Sequence, residues 1–151
     1  YSPAQAIRSL CVKFNELNLD ERNYVTVAAV RIDGDSITYS MAGHNVPILF
    51  KTGGGITRIT LNSPPVSNWF ENPAFFEDTL PYSKGDILVL LTDGVTESRS
   101  PRGEMFGSER TIKTLSVSRT ADEFIKNLQH NLRVFCGGEF DDDITAIAFD
   151  L

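Results

Sequence analysis

The sequence predicts an α+β fold in which a hairpin-rich antiparallel sheet is covered by helices, and not the strand–helix alternation of a doubly wound domain. Three observations lead there. Apolar, β-branched runs follow one another at short intervals with glycine-centred turns between them, the pattern of antiparallel hairpins. Two amphipathic stripes at helical spacing lie outside that block, one before it and one after. A last apolar run then closes the chain.

The chain has 151 residues, 41% of them apolar and 23% charged, which reads as one soluble globular domain. At this size roughly two-thirds of the unfolded surface can be buried, so a core forms without staples. Basic residues number 14 and acidic ones 20, a net charge of −6. That balance argues against nucleic acid or an anionic membrane as the main partner, although a local basic patch stays compatible with it. No apolar run approaches the roughly 20 residues of a membrane span. The two cysteines, Cys11 and Cys136, lie far apart with no CxxC spacing. A reducing, cytoplasmic setting fits them better than a disulfide framework or a structural zinc site. The first residue is Tyr1 and not Met, which suggests a processed, excised or incompletely represented polypeptide.

The first helix begins behind Ser2, an N-cap residue, with Pro3 at the first helical position and Gln5 completing a capping box. Ile7, Leu10, Cys11, Phe14 and Leu17 form its apolar stripe, which ends near Asn18. Residues 24–33 (YVTVAAVRID) read as a buried strand, and Asp33-Gly34 as a hairpin turn into 36–41. Residues 46–51 and 56–60 flank Gly53-Gly54-Gly55, a second hairpin. An irregular loop holding Pro64-Pro65 follows. Strands over 75–80 and 86–92 come next, joined by a turn at Ser83-Lys84-Gly85. The second of these (DILVLLT) is almost continuously apolar, as a central strand buried on both faces should be. The polar stretch DGVTESRSPRGEMFG reads as loop. A short helix is expected over 107–115. A longer one spans 120–135, where Thr120 and Glu123 make a capping box and Phe124, Ile125, Leu128, Leu132 and Phe135 the stripe. Gly137-Gly138 stops it, and the acidic loop 139–142 leads into a final strand over 144–149.

Three places could carry chemistry. Asp93 follows the buried run directly and precedes Gly94, so its carboxylate stands at the mouth of a central strand, where scaffolds present functional groups. On the dipeptide alone, Asp-Gly reads first as a simple turn. Asp141-Asp142-Asp143 stands before the last strand. Adjacent carboxylates repel one another, and oxygen ligands at a loop-to-strand junction suit Mg²⁺ or Mn²⁺. A solvated acidic turn is the alternative. Gly43-His44, between two strands, could supply a ligand, a phosphate donor or a general acid, or simply a turn. His130 reads as a surface residue, and both cysteines as packed thiols. There is no GxSxG, P-loop or GxGxxG.

Taken in order, AGHNVPILF (42–50), GDILVLLTDGVTES (85–98), GEMFGSER (103–110) and DDDITAIAF (141–149) resemble the metal-dependent serine/threonine phosphatases of the protein phosphatase 2C-like (PPM) superfamily. The resemblance is to the bacterial branch of sporulation and sigma-factor-regulating phosphatases, and it runs along essentially the whole chain. It implies an αββα sandwich of two mainly antiparallel sheets flanked by helices, with Mg²⁺ or Mn²⁺ activating a water that attacks phosphoserine or phosphothreonine. Asp93 falls on the metal-binding Asp of the family's TDG motif. Asp142 falls on the Asp before the final strand, with Asp143 as its neighbour. Gly94, Gly43 and His44 line the same site, where other branches carry an acidic motif at the Gly43-His44 position.

The family's first metal motif, of the form Asp-Val-Ser-Gly-His-Gly, has no counterpart in the sequence. The resemblance therefore implies the C-terminal portion of a single phosphatase domain, residues 1–151, whose N-terminal part is missing. Alone, that portion is expected to be weak or inactive. The complete protein would act on a regulatory phosphoprotein of the anti-sigma-factor antagonist type and carry an upstream sensor or receiver domain. The alternative is a catalytically degenerate phosphatase fold that binds and sequesters a signalling partner.

Overall fold

The computed structural model describes residues 1–20, 22–140 and 142–151. The chain divides into two compact units, residues 1–45 with 60–82, and residues 46–59 with 83–151.

The first unit holds α1 (Pro3–Glu16), β1 (Val27–Asp33) and β2 (Ser36–Ala42). The second contributes β3 (Ile48–Thr52) and β4 (Gly55–Ile59) before the chain returns to the first for β5 (Glu77–Pro81). The remainder, β6 (Ile87–Leu91), α2 (Asp93–Glu97), α3 (Gly107–Val117), α4 (Ala121–Phe135) and β7 (Ala146–Asp150), belongs to the second unit. Among the described residues there are two antiparallel sheets, in the orders β1-β2-β5 and β4-β3-β6-β7, and the expected mixed α+β class with flanking helices holds.

In the first unit, the Ser2 hydroxyl accepts the Gln5 amide at 3.3 Å and the Gln5 side chain accepts the Ser2 amide at 2.9 Å, so the capping box forms. Ile7, Cys11 and Phe14 pack with Ala42, Val66 and Phe75. The buried stripe is narrower than the sequence suggested: Leu10 and Leu17 are 41% and 64% exposed. Leu10 is rotated off the Ile7–Cys11–Phe14 line, and Leu17 already lies beyond the last helical residue. The β1–β2 loop is Gly34-Asp35, one residue later than Asp33-Gly34, because Asp33 still pairs with Ser36. Gly34 takes φ +58°, as a two-residue hairpin loop requires.

In the second unit, β6 is an interior strand, as its apolar run predicted. Ile87, Val89 and Leu91 pack with Leu115, Phe124, Leu128 and Leu132, each buried side chain contributing about 2 kcal/mol. β5 and β6 are not hairpin partners. The turn at 83–85 carries the chain from one sheet to the other, with β5 pairing β2 and β6 pairing β3. Thr120 accepts the Glu123 amide at 3.1 Å, but the Glu123 carboxylate reaches back to the Arg119 amide at 2.7 Å in place of the N-cap amide. The stop after α4 is a Schellman arrangement: Gly138 N–H bonds Arg133 O and Gly137 N–H bonds Val134 O, with both glycines at positive φ.

The largest local correction is α2. Residues read as loop form a short helix, because Val95 is fully buried in the core and the Val95 N–H bonds Thr92 O at 3.2 Å. Among the described residues no helix is long and apolar enough to cross a membrane.

Candidate metal site at one end of the second sheet

β6 and β7 run antiparallel with Leu91 opposite Ala146. That register puts the exit of one strand beside the entrance of the other. The ladder goes one rung further, since Thr92 N–H donates to Thr145 O at 3.0 Å. Immediately past that rung stand Asp93-Gly94 on one side and Asp142-Asp143 on the other. Two acidic segments about fifty residues apart in sequence are thus neighbours through strand pairing, a non-local contact.

The approach between them is tight. A Cβ added to Gly94 would lie 2.2 Å from Asp143 O, 3.1 Å from its carbonyl carbon and 3.6 Å from Ile144 Cα. Only a residue without a side chain lets these backbones pass at that distance. Gly94 is therefore the spacer between the two acidic segments.

Both carboxylates are oriented locally. Asp93 Oδ1 accepts the Gly94 amide at 3.0 Å, and Thr96 donates its hydroxyl to Asp93 O at 3.2 Å. Asp142 Oδ1 accepts the Asp143 amide at 2.7 Å. Asp93, Asp142 and Asp143 are all exposed. A groove of about 850 Å³ opens at Asp142 and Asp143, which are among its walls, with Ile125, Leu128, Leu132, Phe140 and Ile144 as apolar lining.

Exposed carboxylate oxygens at a strand junction have the donor chemistry of a hard divalent cation, which keeps several waters and takes one or two carboxylates. The residues present fit one such ion. Among the described residues no group of three His, Cys, Asp or Glu side chains is gathered closely enough to hold a metal. Asp141, the first residue of the acidic run, lies outside the described residues.

Gly43 and His44 sit in the first unit. Gly43 has φ +59°, its N–H donates to Ser63 O at 3.0 Å, and an added Cβ would lie 2.6 Å from Pro65 Cβ. Its glycine is explained by a left-handed turn pressed against Pro65 at the end of β2. His44 is half-buried and His130 exposed. Both cysteines are buried, and neither is in a disulfide.

Sequence reasoning passed over Thr92 and Thr145. The Thr145 amide donates to Thr92 Oγ1 at 3.1 Å, which locks the last rung before the carboxylates. The available signal was a threonine within two residues of an acid in both segments, LLTDG and DDIT.

The full sequence, residues 1–151, matches the stage II sporulation protein E (SpoIIE) family. It is 32% identical over 121 residues to Protein IcfG of Synechocystis sp., covering 79% of this chain and 19% of that protein. It is 28% identical over 153 residues to the phosphoserine phosphatase RsbU of Bacillus subtilis, covering 96% of this chain and 44% of RsbU. The chain thus spans less than half the length of either curated relative. Among solved structures, the phosphatase domain of SpoIIE from Bacillus subtilis, presoaked with manganese, superposes with a TM-score of 0.66 at 18% identity. That superposition covers 96% of this chain and 73% of the domain, so the two share a fold. Matched along its whole length, the chain belongs to the stage II sporulation protein E (SpoIIE) family, and it shares the fold of that phosphatase domain.

Proposed function

We propose that the chain is the C-terminal portion of a single metal-dependent phosphatase domain that removes phosphate from a serine or threonine of a regulatory phosphoprotein. The observation that carries this is the packing of Gly94 against Asp143, which brings Asp93 and Asp142-Asp143 to one end of one sheet. The name of RsbU, a phosphoserine phosphatase, and the manganese-presoaked SpoIIE domain support the same chemistry.

Asp93 and Asp142 are the proposed metal ligands, with Asp143 as the neighbouring carboxylate. Mg²⁺ or Mn²⁺, when bound, would supply polarisation of phosphate oxygens and a water acidic enough to attack at neutral pH. No protein nucleophile is then required. Without a cation, this acidic end of the sheet repels a phosphate dianion, so substrate binding and metal binding are coupled. Two carboxylates hold one hydrated ion, whereas in-line attack by a two-metal clamp needs a bridging carboxylate from another segment. The chain alone is therefore proposed to be weak or inactive. β7 is an edge strand of its sheet, where the complete domain is proposed to add further sheet. The proposed substrate is an anti-sigma-factor antagonist type of protein, acted on in the cytoplasm under control of an upstream sensor or receiver domain.

A second reading, a degenerate fold that sequesters a signalling partner, is favoured by the lack of a three-ligand group among the described residues. The deciding assay uses the full-length parent protein with Mn²⁺ and a phosphoserine peptide. Asp93→Asn is expected to lower turnover by roughly a hundred-fold or more, as loss of a metal-held nucleophile requires. Activity unchanged in that variant rejects the assignment of Asp93. No activity in the unsubstituted protein, together with binding of the peptide, establishes the second reading.

A further inference from the structure

Thr92 stands at the N-cap of α2, a position where a threonine hydroxyl usually accepts an amide of the first helical turn. It makes no such bond here. Instead its hydroxyl is engaged across the sheet: Oγ1 accepts the Thr145 N–H at 3.1 Å and faces Thr145 O at 3.4 Å. The reason lies in the backbone. In an antiparallel rung the Thr145 N–H would bond the carbonyl of Thr92. That carbonyl has turned away and accepts the Val95 N–H at 3.2 Å to start the helix, while the Thr92 N–H still bonds Thr145 O at 3.0 Å. The hydroxyl thus substitutes for the departed carbonyl and completes the rung at the point where the chain leaves the sheet.

We propose that Thr92 is a positioning residue for the metal site: by closing this rung it fixes the spacing between Asp93, next to it in sequence, and Asp142-Asp143, just before Thr145. The geometry beyond the rung has little slack, because Gly94 already passes Asp143 at the limit of backbone contact. A shift of a few tenths of an ångström at Thr145 is transmitted directly to the carboxylates. This role rests on the reading of Asp93 and Asp142 as ligands. Groups that orient metal ligands without touching the metal commonly change affinity by about 10- to 100-fold when removed.

The test compares Thr92→Val, which keeps the shape and loses the hydroxyl, with Thr92→Ser, which keeps the hydroxyl. Each variant is made in the full-length parent protein and titrated with Mn²⁺ by calorimetry, and exchange of the Thr145 amide is followed by NMR. Thr92→Val is expected to bind Mn²⁺ roughly ten-fold more weakly or worse and to lose protection at Thr145, with Thr92→Ser restoring both to within about two-fold. Protection at Thr145 that survives Thr92→Val overturns the rung itself. Lost protection with unchanged Mn²⁺ affinity overturns the positioning role. If the unsubstituted parent protein binds no Mn²⁺ at millimolar concentration, the ligand reading fails; the amide signals of Gly94 and Asp143 then decide the spacing role, which stands only if Thr92→Val moves both and Thr92→Ser neither.

Discussion

Each of the two units has an Asp-Gly step where the chain leaves a strand, and the two glycines are required for different reasons. In the first unit Gly34 follows Asp33 at φ +58° with nothing within 4 Å of where its Cβ would be. Its cause is purely local: a two-residue hairpin loop needs a left-handed residue. In the second unit Gly94 follows Asp93 and opens a helix, and the constraint is the backbone of Asp143 from another strand. Identical dipeptides therefore mark a replaceable turn in one unit and a close backbone crossing in the other. Each unit also fastens a helix end with a charged side chain from its sheet. In the second, Lys51 of β3 donates to Leu115 O at 3.0 Å and Ser116 O at 3.2 Å, and also to Ser118 O, at the C-terminus of α3. In the first, Glu77 of β5 accepts the Ala4 amide at 3.0 Å at the N-terminus of α1. Both pairings follow the sign of the helix dipole.

Substitutions can break these parallels in a definite order. Gly94→Ala forces a methyl into the Asp143 carbonyl and should cost about 3 kcal/mol in denaturant unfolding, with loss of Mn²⁺ binding; a stable variant with normal metal affinity would contradict the crossing. Lys51→Met removes a cation that three carbonyls share, and about 2 kcal/mol is expected, read as a shift in unfolding midpoint. Gly34→Ala should cost only about 1 kcal/mol, the penalty for a left-handed alanine, with metal affinity untouched.

The smallest effect is pH-linked. The Ser2 hydroxyl first, then the Ala4 amide, with a smaller contribution from the charge of Arg31, hold the Glu77 carboxyl below its ordinary value against an opposing effect of burial. A carboxyl depressed on folding stabilises the protein above its unfolded pKa, and this contribution disappears as pH falls through the folded value. Glu77 is exposed, so solvent screening limits the gain to a few tenths of a kcal/mol. Glu77→Gln should flatten the acid limb of a stability–pH profile by that amount and leave stability at alkaline pH lower by the same amount. An unchanged acid limb would detach Glu77 from α1.

The contrast between the glycines also shows how far sequence reading reaches. Ser2–Gln5, the Thr120–Glu123 amide bond and Gly137-Gly138 were legible because each acts within a few residues. The apolar run of β6 announced an interior strand for the same reason. α2 was not legible: five residues containing Gly94, Val95 and Thr96 have poor helical propensity, and the turn exists because Val95 is buried. Leu10 looked like a core residue and is not, since a helix face is chosen by its partner surface. Asp93 and Asp142 were singled out as residues, but their nearness was not visible, nor was the bond between Thr92 and Thr145 that holds it.

The sequence by itself determined the composition of the elements, their order, most of their ends and the oxygen-rich character of the site, because periodicity, capping and charge are properties of neighbouring residues. Only the tertiary structure decided which strands pair, that 83–85 is a crossing between sheets and not a hairpin, and that Gly94 is a spacer where Gly34 is a turn. Those outcomes depend on contacts between segments far apart in the chain, where the packing of one backbone against another sets the distance between functional groups.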